Sequence, residues 1–126
     1  FGYGLSYSSF EYSDLAFEAR EISSEENVSL RFKLTNTGAY DGDEVVQLYI
    51  KDLYASVVRP VMELKGFQRI HLKKGETMEV EFEITPDLLS MLDENMNEVL
   101  EPGEFRIMIG SAANDIRLRE ILIVKD

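Results

Sequence analysis

The feature that most constrains the fold of this chain is a hydrophobic period of two, which returns in short segments and never gives way to a helical period of any length. In Val28-Ser-Leu-Arg-Phe-Lys-Leu-Thr35 the apolar residues Val28, Leu30, Phe32 and Leu34 share one face. Between Glu44 and Lys51, Val46, Leu48 and Ile50 point one way while Val45 and Tyr49 point the other, which predicts a strand with a partly covered second face. Leu64 and Phe67 to Leu72 continue the pattern, with Gly66 as a bulge or bend, and Met78, Val80, Phe82 and Ile84 alternate with Glu79, Glu81 and Glu83. Leu15, Phe17 and Ala19 predict an earlier strand, and Phe105, Ile107 and Ile109 a later one that ends at Gly110. The last strand, Ile116 to Val124, reads as Ile116 and Leu118 followed by Ile121 and Ile123, with a phase change near Glu120.

Turn chemistry separates these segments. Asn36-Thr-Gly38, Asp41-Gly42, Lys73-Lys-Gly-Glu76, Pro102-Gly103 and Ser111 to Asp115 are turn signals, and Ser23 to Asn27 is an acidic link. Thr85-Pro86-Asp87 predicts one short helical turn to about Leu89, with the Thr85 hydroxyl as cap, and Leu92 to Met96 reads as a hairpin tip. Residues 52 to 62 break the alternation and contain Pro60, which predicts a long loop or an edge. Residues 1–13 carry five aromatics (Phe1, Tyr3, Tyr7, Phe10, Tyr12) spaced by glycine and serine, so they are expected to form an arm that lies against another surface, leaving 14–126 as the folded body. Seven to eight short strands with one helical turn predict an all-β sandwich, with an open barrel as the alternative.

Residue inventory narrows the chemistry. With 126 residues, 24 acids against 13 bases and a net charge of -11, the chain suits one domain and is a poor partner for nucleic acid or an anionic membrane. No apolar run approaches the roughly 18 residues that span a bilayer. The start at Phe1 is expected to mark a piece of a longer protein. Without cysteine and with His71 as the sole histidine, thiolate nucleophiles and histidine clusters are excluded, His71 itself reads as a surface residue of a strand, and no cofactor or metal is expected. Asp93, Asn95, Asn97 and Glu104 follow part of a calcium-loop spacing, but the glycine that loop needs is replaced by Glu98. Glu79, Glu81 and Glu83 lie only about 7 Å apart along a strand and read as a solvated row, not as a glycosidase carboxylate pair. In the 52 to 62 loop, Tyr54 and Arg59 are candidates for contact with a neighbouring domain or a sugar, the alternative being a local ion pair for Arg59.

Five motifs in order then point to a family. Phe1-Gly-Tyr-Gly-Leu-Ser-Tyr-Ser-Ser-Phe-Glu-Tyr12, Arg59-Pro60 with Glu63-Leu-Lys-Gly-Phe67, His71-Leu-Lys-Lys-Gly-Glu76, Glu101-Pro-Gly-Glu104 and Ile109-Gly-Ser111 strongly resemble the C-terminal fibronectin type III-like domain of family 3 glycoside hydrolases, the β-glucosidase and β-xylosidase group. The resemblance implies an immunoglobulin/fibronectin type III-like sandwich with an extended N-terminal arm. It also implies that the catalytic aspartate and glutamate lie in other domains, a barrel and an α/β sandwich, so that no residue here is catalytic. The expected role is a non-catalytic accessory domain that stabilises those catalytic domains of its parent chain, with Phe1, Tyr3, Tyr7, Phe10, Tyr54 and Arg59 as interdomain contacts. A place at the active-site rim, a homodimer and a weak carbohydrate contact stay open. The alternative is a carbohydrate-binding module, for which Tyr3, Tyr7, Tyr40, Tyr49 and Tyr54 are the candidate platform.

Overall fold

The computed structural model describes residues 9–53, 62–92, 98–100 and 102–125. Its elements run β1 (Phe10–Phe17), β2 (Glu21–Ser23), β3 (Val28–Asn36), β4 (Gly42–Asp52), β5 (Met62–Leu72), β6 (Thr77–Ile84), α1 (Pro86–Leu89), β7 (Met91–Leu92), β8 (Glu98–Val99), β9 (Gly103–Ala112) and β10 (Asp115–Lys125). A three-stranded sheet of order β1-β3-β6 faces a five-stranded sheet of order β2-β10-β9-β4-β5, and β7 and β8 form a separate small ladder. The eight strands of the two main sheets make the expected all-β sandwich, in which each sheet has an apolar face that water would otherwise solvate.

The inward rows follow the period of two. Val28, Leu30, Phe32 and Leu34 of β3, Val46, Leu48 and Ile50 of β4, and Phe105, Ile107 and Ile109 of β9 are all buried. Across the three-stranded sheet the Phe32 ring lies between Tyr12, with centroids 5.6 Å apart, and Phe82, 6.5 Å apart. The Glu79, Glu81 and Glu83 row is exposed, as its reading as a solvated face requires.

Several local expectations need correction. Strand β1 begins at Phe10, inside the segment expected to be an arm, and Phe10 and Tyr12 are core residues. A bulge between Ser13 and Ala16, with Asp14 at φ 55°, inserts one extra residue. That slip of phase lets Tyr12 on one side and Leu15 and Phe17 on the other all turn inward, which a single alternating register forbids. Ala19 lies beyond the strand and is exposed. In β10 the irregularities fall at Asp115 to Leu118, not near Glu120, so Leu118, Leu122 and Val124 face the core while Ile121 and Ile123 share the opposite face. Strand β9 continues past Gly110 to Ala112. Thr85 precedes α1, but its hydroxyl makes no capping bond; the Ser90 hydroxyl instead donates to the Pro86 carbonyl at 3.0 Å. Strand β2 has no sequence signal beyond Ile22 and pairs in parallel with the end of β10.

Side chains close both seams between the sheets. Gln68 on β5 donates to the Glu81 carbonyl on β6 at 2.6 Å, and Arg117 on β10 donates to the Phe10 carbonyl on β1 at 3.0 Å. At one end the fully buried Asn36 amide donates to the carbonyls of Tyr40 and Leu72, while its side-chain oxygen accepts from Gly38 N–H.

Two glycines make a sharp contrast. A Cβ on Gly110 would lie 2.2 Å from the Asp115 carbonyl oxygen, whereas one on Gly66 would meet the Phe82 ring at 3.6 Å, an ordinary contact. Gly110→Ala is therefore expected to destabilise the domain by about 2–3 kcal/mol, since the β9–β10 backbone must move, while Gly66→Ala stays within about 1 kcal/mol of wild type. Urea unfolding of both variants checks the ranking, and a tolerated Gly110→Ala would refute the close approach.

Candidate functional site

Alternation along the five-stranded sheet sends the odd residues of β4 to its outer face. The ladders then place Arg119, Met108, Tyr49 and Leu64 in one row across four strands, and Ile121, Arg106, Lys51 and Met62 in the next. Phe67 stands opposite Gln47, and Val45 opposite Arg69. Tyr49 and Met108 are nearly covered, and the Tyr49 hydroxyl donates to the Gln47 side-chain oxygen. Phe67, by contrast, is 66% exposed, and Leu64 and Val45 are exposed beside it. This face is an apolar patch interrupted by cations.

Its charge differs from that of the rest of the molecule. The outer face holds Lys51, Arg69, Arg106, Arg119 and Lys125 against Glu21, Asp43 and Glu104, whereas the outer face of the three-stranded sheet holds Glu11, Glu79, Glu81 and Glu83 against Arg31 and Lys33. Asp43 is engaged by both Arg69, at 2.7 Å, and His71, and these hydrogen bonds hold its carboxyl below the usual aspartate range. A shallow depression of about 230 Å³ is lined by Arg106, Arg119, Glu120 and Ile121. Glu120 is already engaged there, by Arg20 at 2.7 Å and by the Ile121 N–H.

A second polar cluster ties the sheets together at one seam. The Tyr12 hydroxyl donates to Glu44 Oε2 at 2.8 Å, and the Arg117 guanidinium lies 5.3 Å from the Tyr12 ring centroid. Asp115 receives hydrogen bonds from Arg117 and Ser111, which hold its carboxyl low, while the same aspartate raises Arg117. Burial raises the Tyr12 phenol, helped by the Glu44 charge. Burial also raises Glu44, outweighing the hydrogen bond from Tyr12 and the nearby guanidinium. The cluster is a structural clamp that joins β1 to β4 and β10.

The residues singled out from the sequence fall differently. Phe10 is 8% exposed and packed in the domain's own core, which leaves little of its ring for an interdomain contact. Phe1, Tyr3, Tyr7, Tyr54 and Arg59 lie outside the described residues, as do Asp93, Asn95 and Asn97. Of the candidate sugar platform, Tyr49 is nearly covered and Tyr40 is exposed in the β3–β4 turn. The exposed Phe67 is at least about 16 Å along β5 from the Leu72 end near Tyr40, so these two rings form no continuous platform. Among the described residues no three histidine, aspartate or glutamate side chains converge as a metal site. The outer apolar face was only half legible: Val45 and Tyr49 signalled it, but the cross-strand register needed to add Met108, Leu64 and Phe67 was not.

Comparison with known proteins identifies the module. The fibronectin type III-like domain model matches residues 44–113. The chain belongs to the fibronectin type III-like domain family. It is 44% identical over 119 residues to a β-xylosidase of Formosa agariphila and 42% identical over 118 residues to a β-glucosidase of Bacteroides ovatus, in each case through 93% of this chain. It spans 16% of the length of each. The crystal structure of a family GH3 β-glucosidase from Bifidobacterium adolescentis superposes with a TM-score of 0.83 at 30% identity, covering 98% of this chain and 18% of that one. This fibronectin type III-like domain thus corresponds to about a sixth of enzymes whose remaining length has no counterpart in it.

The clamp of this domain carries a pH signature. With Glu44 raised in the folded state, the fold binds its proton more tightly than the unfolded chain does, so the Glu44 contribution weakens as pH rises from about 4.3 through the raised folded value. Glu44→Gln keeps an acceptor for Tyr12 without the charge. Urea unfolding at a series of pH values is expected to show the variant gaining stability relative to wild type between pH 4 and 7, while the acid-side losses from Asp43 and Asp115 cancel between the two proteins. A pH-independent difference would contradict a desolvated Glu44.

Proposed function

We propose that this domain is the non-catalytic accessory domain of a family 3 glycoside hydrolase, one that removes terminal β-linked sugars such as β-glucosides. The observation that carries this reading is the coverage: nearly all of this chain matches 16% of enzymes named β-xylosidase and β-glucosidase. The residue chemistry supports it. The exposed glutamate row lies on the outer face of the three-stranded sheet, and the half-buried Glu44 is held by Tyr12 and Arg117 in a structural clamp. An acid and a nucleophile must instead flank a bound sugar about 5–9 Å apart. The domain therefore acts by stabilising the barrel and α/β sandwich domains of its parent, with residues 1–8 and the 54–61 segment, including Phe1, Tyr3, Tyr7, Tyr54 and Arg59, as further contacts. Homodimer formation and a contribution to the active-site rim belong to the same reading.

The test compares the full-length parent with a form truncated before this domain, using aryl β-glucoside and aryl β-xyloside hydrolysis and thermal unfolding. Truncation is expected to lower the midpoint of the catalytic body by several degrees and to shorten the half-life of its activity, while the 126-residue chain alone hydrolyses neither substrate. An unchanged midpoint and half-life would sink the stabilising role, and hydrolysis by the isolated chain would sink the non-catalytic one.

A further inference from the structure

The first half of β1 has a boundary and two fastenings of its own. Residues 10–13 pair with Asn36 to Lys33 of β3, and the bulge at Asp14 separates them from the pairing of Ala16 and Phe17. As the edge of the three-stranded sheet, β1 has a backbone ladder on one side only. Two side-chain bonds fasten it to the opposite sheet: the Tyr12 hydroxyl donates to Glu44 Oε2 at 2.8 Å, and Arg117 donates to the Phe10 carbonyl at 3.0 Å. A short strand end with a single ladder is the kind of segment that opens without the rest of its domain.

The fastening at Glu44 depends on a carboxylate that closure draws partly out of water. Glu44 is faced by Tyr12 from β1 and by Arg117 and Asp115 from β10, and its ladder partner on β5 is the uncharged Ile70. Asp43, Arg69 and His71 engage one another on the other face of that sheet. Burial outweighs the donors around Glu44 and raises its carboxyl, whereas opening of residues 10–13 removes the Tyr12 cover and returns the group to water. The closed segment therefore binds the Glu44 proton more tightly than the open one, and that preference is lost as pH rises through the raised closed-state value. At the acid end the limit is Asp115, which holds the Arg117 guanidinium and, with its carboxyl lowered, continues to do so until pH falls below the usual aspartate range.

We infer that residues 10–13 form a pH-sensitive latch, which opens locally while both sheets stay folded and is shut most firmly in mild acid, where Glu44 is neutral and Asp115 still charged. Opening bares the buried rings of Phe10 and Tyr12, so the open form is a minor state, visible to hydrogen exchange. On the accessory-domain reading above, residues 1–8 join the sandwich through this latch, so its closure also anchors those proposed contacts.

The experiment is peptide-resolved hydrogen exchange on the full-length parent enzyme between about pH 4.5 and 7, corrected for the intrinsic chemical rate. Exchange of the β3-paired amides in residues 10–13 is expected to rise several-fold across that range, while residues 105–109 of β9 stay constant. Glu44→Gln is expected to abolish the rise. Tyr12→Phe, which keeps the ring stack but removes the donor, is expected to steepen it, and it keeps the test open if Glu44→Gln fails to fold. Exchange that is flat with pH, that rises equally in β9, or that still rises in Glu44→Gln overturns the latch. The readout is local to this domain, so it stands or falls independently of the truncation test of the accessory role.

Discussion

The rest of the sandwich depends on the Phe32 ring and its two neighbours. Tyr12, Phe32 and Phe82 come one from each strand of the three-stranded sheet, and their stacking makes one continuous apolar layer out of β1, β3 and β6. Stacked or offset rings add about 0.5–1.5 kcal/mol per pair beyond the area they bury. The layer also sets how close the other sheet can come, because Gly66 on β5 lies next to the Phe82 ring. A large side chain at that position would push the sheets apart and open the core that Leu48, Phe105 and Ile107 fill.

Once the layer is in place, polar groups determine the edges. Tyr12 is both a ring in the stack and a hydroxyl donor to Glu44, so the same residue packs the core and links the two sheets. Arg117 adds a hydrogen bond to the β1 backbone on the same side, and Gln68 does the equivalent for β6 on the other. These side-chain bonds use backbone carbonyls that would otherwise be open for pairing with another chain. Buried Asn36 does comparable work at the turn end, where its amide and oxygen satisfy three backbone groups. With both seams closed, the outer face of the five-stranded sheet keeps the large exposed side chains Val45, Leu64 and Phe67.

How much of this was legible in the residues depended on the range of the interaction responsible. The inward rows of β3, β4 and β9 were readable because a half-buried strand writes its burial directly into alternate letters. Strand β2 was not, since three residues with one buried isoleucine carry no period, and its existence rests on pairing with a strand about a hundred positions away. The phase of β10 is ambiguous in the letters for a related reason. Ile121 and Ile123 are as apolar as the core residues Leu122 and Val124, so the letters fit either face, and the choice was made by Phe105 and Gly103 across the ladder. Phe10 looked like part of a glycine- and serine-spaced arm, yet pairing with Asn36 draws it into the sandwich.

The sequence by itself determined the fold class, most strand positions and the family motifs, because alternation, turn chemistry and short motifs are local properties of neighbouring residues. The tertiary structure alone decided which of two apolar faces became core, where the bulges fall, and which cations share one face. Those outcomes arise from contacts between residues far apart in the chain. Lys51, Arg106 and Arg119 are unremarkable letters in three separate segments, and only the register of β4, β9 and β10 brings them onto one face.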